Sequence, residues 1–131
     1  MSERKQNKKI DKRAPVIVGV GDLVDRSKED GLNPQELLAK ACEHAIQDSG
    51  IKELSKHIDY VGVVRFTVDF LTATNQSNFQ YSNFPRTLAN KLNISAKNEV
   101  YAPMGGNSPQ VLLEDALVKI CLLYTSDAAD D

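Results

Sequence analysis

Pro15 opens an apolar run, Val16-Ile17-Val18-Gly19-Val20. Its short length and β-branched residues predict a buried parallel strand. Residues 21–31 are polar, carry both signs of charge and predict a loop. Asn33-Pro34-Gln35-Glu36 then reads as a helix start. Asn33 can cap, Pro34 suits the first helical position and Glu36 completes a capping box. Leu37, Leu38, Ala41, Cys42, Ala45 and Ile46 recur at helical spacing, and Gly50 stands where a helix C-terminal glycine belongs.

Residues 58–64 form a second β-branched run and predict a second strand. Residues 65–81 are polar and predict a long loop, of a length that in compact domains usually serves function. Pro85 opens a short helical segment carrying Leu88 and Leu92, and residues 99–102 predict a third strand. After the turn Pro103-Met104-Gly105-Gly106-Asn107, Ser108 can cap and Pro109 can start a last helix. Val111, Leu112, Ala116, Leu117 and Ile120 supply its apolar face. The order strand, helix, strand predicts a βαβ unit, with the first strand parallel to the second and the helix of residues 33–49 crossing over. The fold class is therefore α/β.

Composition is that of a soluble globular chain: 131 residues, 41% hydrophobic and 26% charged. Its apolar runs fall short of the roughly 20 residues that span a bilayer, and a charged N-terminus replaces the apolar stretch of a signal peptide. A cytoplasmic location is expected, with no membrane partner. The net charge of -2 is unevenly spread. Arg4, Lys5, Lys8, Lys9, Lys12 and Arg13 oppose only Glu3 and Asp11. Residues 1–13 read as a disordered basic tail. With no aromatic side chains there to stack on bases, no nucleic-acid partner is expected. Cys42, Cys121, His44 and His57 lack metal-ligand spacing, so no metal is expected. Cys42 falls on the apolar stripe of its helix and reads as a small buried hydrophobe.

The last eleven residues, Cys121-Leu-Leu-Tyr-Thr-Ser-Asp-Ala-Ala-Asp-Asp131, resemble the translation of a widely used transposase sequencing adapter, residue for residue. They are set apart from the fold, as a fusion scar would be. The expected globular part is residues 14–120, the remnant of a longer chain interrupted inside its last helix.

Four segments together resemble the thiolase-like acetyl-CoA acetyltransferases, nearest the sterol-carrier-protein-type branch. They are residues 13–21, 58–65 and 81–89, and Gly105-Gly106-Asn107-Ser108-Pro109-Gln110, the most specific. The resemblance spans residues 13–120. It implies the N-terminal part of a layered αβαβα thiolase fold, acting on acyl-CoA thioesters in lipid metabolism, with coenzyme A entering as substrate and no cofactor. It also implies a homodimeric parent, with residues 99–103 near the subunit interface. In that family a cysteine between the third strand and the next helix attacks the thioester. The helix N-terminus there stabilises negative charge.

Aligned on that motif, Ser108 matches the motif serine, Gly106 takes the place of the cysteine, and Pro109 that of the motif glycine. Glycine carries no acyl group. Ser108 is then the candidate substitute nucleophile, with a helix cap as its other reading. Gly105, Gly106, Asn107 and Ser108 are the candidate substrate-binding residues. A non-catalytic acyl-CoA-binding or scaffold subunit of the same fold is the alternative. A dinucleotide-binding domain is a third reading, from Val18-Gly19-Val20-Gly21, although Val24 stands where a third glycine would be.

Overall fold

The computed structural model describes residues 11–66 and 83–127, with side chains described as far as residue 122. Most of the expected basic tail and of the long polar loop therefore lies outside the described residues, as do residues 128–131.

Helix α1, Pro34–Asp48, forms as its sequence predicts. The Asn33 side chain accepts from the Glu36 amide at 2.9 Å, and Glu36 accepts from the Asn33 amide at 3.0 Å. The reciprocal box satisfies two donors that a helix start otherwise leaves open. Gly50, at φ +65°, reverses the chain just beyond the helix end. After a 3₁₀ turn, Leu54–His57, come strand β1, Tyr60–Val64, and helix α2, Phe84–Lys91. Strand β2, Asn98–Ala102, follows, and then helix α3, Ser108–Asp127. Helical geometry thus continues into the adapter-like stretch.

Strands β1 and β2 pair in parallel, from Tyr60 opposite Asn98 to Val64 opposite Ala102. Alternation along β1 aims Val61 and Val63 at one face and Tyr60 and Gly62 at the other. Val61 and Val63 meet Phe84, Leu88, Ala89, Leu92 and Ile94 from α2 and the turn after it, with Ala39 of α1 completing this core. Phe84 is its centre, 2% exposed and stacked 5.8 Å from the Tyr101 ring. Gln35, fully buried, donates to the Phe84 carbonyl at 3.2 Å and so fastens α1 to the start of α2. Helix α3 covers the opposite face, where Leu112 lies beside Gly62.

Two expectations need correction. The run Val16–Val20 is not a strand, and the parallel pair joins the second and third expected strands, with α2 between them. Val16 and Ile17 are 72% and 71% exposed. The segment instead lies along α1. Gly19 and Gly21 bring its backbone against the helix backbone at Ala41, Ala45 and Ser49. The Val20 amide donates to Asp48 Oδ2 at 2.9 Å, and His44 Nδ1 meets the Asp22 carbonyl at 2.9 Å. A β-branched run predicts extended backbone, and the two glycines decide what that backbone touches. The second correction concerns α3. Val111 and Ile120, expected on its inner face, are 51% and 37% exposed, because Leu112 and Asp115 take the inward positions.

The loop of residues 21–33 is organised by one carboxylate. Asp25 accepts from the Ser27 hydroxyl at 2.5 Å and amide at 2.9 Å, and from the Leu32 amide at 2.7 Å. These bonds, the Ser27 hydroxyl foremost, pull its pKa down to about 2.

Candidate functional site

The turn of residues 103–107 leaves the carboxyl end of β2 and enters α3. Ligands of parallel α/β sheets gather at this edge. Its residues are exposed, whereas Ser108 is 6% exposed. Ser108 Oγ donates to the Pro103 carbonyl at 2.6 Å, and the Ser108 amide donates to the Gly105 carbonyl at 3.1 Å. The serine therefore closes the turn on itself. The helix starts one residue earlier than expected, so Ser108 is the first residue of α3 rather than its cap, and the Asn107 carbonyl accepts the Val111 amide at 3.1 Å.

The four candidate binding residues are contiguous here, and the two glycines differ. A methyl group on Gly105 would come within 3.2 Å of Ser108 Oγ and 3.3 Å of Asn107 Oδ1. One on Gly106 would meet nothing within 4 Å. Position 106 thus opens on free space. The donors around it are reduced, since the Ser108 amide is already bonded and Pro109 has no N–H. The Pro103 carbonyl accepts a hydrogen bond from Ser108 but cannot take its proton, so this contact does not turn the hydroxyl into a nucleophile.

Two arginines lie against β2, one at each end. The Arg65 amide, just past β1, donates to the Ala102 carbonyl at 2.9 Å, and its guanidinium lies 5.0 Å above the Tyr101 ring. Arg86 of α2 bonds Glu99 of β2. Sequence reasoning assigned no role to either arginine. The register that brings Arg65 beside Ala102 was the missing information.

Cys42 lies elsewhere, half-buried on α1, on the wall of an apolar cavity of about 260 Å³ that Val18, Gly19, Tyr60 and Val61 also line. Burial, aided by the charge of Glu43, pushes its thiol pKa up, which suits a packing residue. The dinucleotide reading fails on geometry. Gly19 and Gly21 lie against the C-terminal half of α1, and no helix starts from them. Among the described residues no helix is long and apolar enough to cross a membrane.

No protein-family model and no curated protein matches this chain. Among solved structures, the chain is similar to one described as a monomeric SCP2-thiolase like protein type 1 from Mycobacterium smegmatis. The TM-score is 0.67 and the identity 31%, over 85% of this chain and 21% of that one. The chain thus spans about a fifth of the length of its neighbour. Its fold is the α/β arrangement of a thiolase-like protein, over that fraction of the whole.

Proposed function

We propose that this chain is the N-terminal portion of a thiolase-like protein that handles acyl-CoA thioesters, and that Gly105, Gly106, Asn107 and Ser108 meet the thioester end of the ligand. The observation that carries this reading is the turn itself. It sits at the carboxyl end of β2 and opens α3, with free space at Gly106, in a chain whose fold is thiolase-like. The expected chemistry is binding without a covalent intermediate. Glycine holds the nucleophile's place, and the Ser108 hydroxyl is engaged with Pro103. A helix N-terminus still favours a polarised thioester carbonyl, so binding can outlast turnover.

The test is incubation with acetyl-CoA followed by mass spectrometry of the intact protein, beside calorimetric titration with a non-transferable thioether analogue. Reversible binding with no added acyl mass is the expected result. Acylation of unaltered protein at Ser108 would show that the serine is a nucleophile, and acylation elsewhere would move the reactive site. A homodimer of the longer parent belongs to the same reading and is checked by sedimentation. The neighbour from Mycobacterium smegmatis is described as monomeric, which is a statement about that protein.

A further inference from the structure

Three side chains outside the turn form a connected group on the other face of the sheet. Tyr60 opens β1, and its hydroxyl donates to Asp115 Oδ2 at 2.8 Å. Lys119 lies one helical turn beyond Asp115. Its ammonium donates to both carboxylate oxygens, at 2.8 and 2.7 Å, and sits 5.2 Å from the centre of the Tyr60 ring. Each group has a partner in the other two, so the cluster is a closed unit rather than a ligand site in waiting.

The sequence makes room for it. Tyr60 and Gly62 share one face of β1, and the tyrosine ring lies across the glycine. A methyl group on Gly62 would stand 2.9 Å from Tyr60 Cε1, 3.2 Å from its hydroxyl oxygen and 3.1 Å from Leu112 Cδ2. A side chain there would have to displace the Tyr60 ring or the end of Leu112. On α3, Ser108, Leu112, Asp115 and Lys119 follow the spacing of a single helix face. That face is fastened at three levels: Ser108 to Pro103, Leu112 over Gly62, and Asp115 to Tyr60. Seven residues of helix separate the first and last of these, a lever of roughly 10 Å at 1.5 Å per residue.

We propose that the Tyr60–Asp115–Lys119 clasp fixes the rotation of α3 about its axis and thereby sets the pose of the Gly105–Ser108 turn, making Tyr60 and Asp115 positioning residues for the thioester site. A helix packed on a strand by Leu112 alone can roll, because apolar contact is non-directional. A hydrogen bond from a phenol to a charged carboxylate is directional and stronger than a neutral one. Its removal frees the roll, and the first turn of α3 carries residues 105–108 with it. The carboxylate is kept ionised by its Lys119 and Tyr60 hydrogen bonds, in that order, which lower the Asp115 pKa. The Tyr60 phenol is pushed up to about 12 by burial and then by Asp115, so it stays a donor.

The proposal rests in part on the thioester reading of the turn, and its test separates the two. Amide hydrogen exchange is measured on the whole chain at low micromolar concentration, for the unaltered protein, Tyr60→Phe and Asp115→Asn. Tyr60→Phe keeps the ring over Gly62 and removes only the hydroxyl. Exchange in residues 107–112 is expected to rise about tenfold, the effect of one charge-assisted hydrogen bond, while residues 35–48 of α1 stay within about twofold. Asp115→Asn keeps an acceptor for the phenol but releases Lys119, so a smaller rise in the same residues is expected. It carries the test alone if Tyr60→Phe does not fold. An equal rise in α1 and α3, or no rise in α3, overturns the clasp as a positioning device. Affinity for the acetyl-CoA thioether analogue is read in parallel and should fall about three- to tenfold in Tyr60→Phe. If the unaltered protein does not bind the analogue, the thioester reading falls, and the exchange pattern still decides the clasp.

Discussion

Replacing Gly21 with alanine is expected to lift residues 15–24 from α1 and to destabilise the chain by about 1–3 kcal/mol, the usual range for overpacking a close contact. The added methyl group would sit inside the contact distance of the Ala41 carbonyl oxygen and the Ala45 amide nitrogen, and 2.9 Å from His44 Cβ. The first two are backbone atoms of a hydrogen-bonded helix and cannot swing aside. The segment must move instead. Two ties then break, from the Val20 amide to Asp48 and from His44 to the Asp22 carbonyl. Exchange of the Val20 amide should rise at least about tenfold, because its only partner among the described residues is a side chain on α1. Gly106→Ala is the control, since a methyl group there meets nothing within 4 Å. It should change stability by less than about 0.5 kcal/mol. Equal thermal unfolding of Gly21→Ala and unaltered protein would show that the segment does not lie on α1 as described.

Gly19 and Gly21 also explain why residues 16–20 depart from the strand that their pattern predicts while the later strands do not. Helix α1 was legible because its signals are local: the Asn33 and Glu36 box, Pro34 at the first turn, Gly50 beyond the end. The strand at residues 60–64 was legible because its β-branched run is matched by burial on one face, whereas residues 98–102, with Val100 as their one β-branched residue, gave a weaker signal. Val16–Val20 carried the same local signal. Its neighbour is set by tertiary contact, and Gly19 and Gly21, two apart on one face, were the available hint of close backbone approach. At the candidate site the contiguous residues 105–108 were legible as a turn. The Ser108 hydroxyl was not, because its acceptor is the Pro103 carbonyl, which depends on how the turn closes. Tyr60 and Asp115 stand 55 residues apart, and no spacing rule joins them. Only the register of β1 against β2 and the packing of α3 do so.

Installing a thiol at position 106 gives the largest expected change in chemistry. Gly106→Cys places a side chain in open space immediately before the N-terminus of α3, so the substitution should be accepted without repacking. A thiol beside a helix N-terminus has a depressed pKa, and a drop of about one unit from the usual 8.5 raises the thiolate fraction at pH 7 by roughly eightfold. Alkylation by iodoacetamide at pH 7 should therefore be several-fold faster at position 106 than at exposed Cys121. Half-buried Cys42, its thiol pushed up by burial, should be the slowest of the three. With acetyl-CoA, the thiolate would attack the acetyl carbonyl, form a protein thioester and expel the coenzyme A thiolate, which water then protonates. This step should remain slow even in the variant. The oxyanion it generates finds the Ser108 amide already bonded to Gly105 and no N–H at Pro109. Fast alkylation with slow acetylation is thus the expected signature of a turn that keeps the helix dipole but has lost the donors at positions 108 and 109. Alkylation at position 106 no faster than at Cys121 would mean that this turn does not stabilise negative charge, and the thioester reading would lose its physical basis.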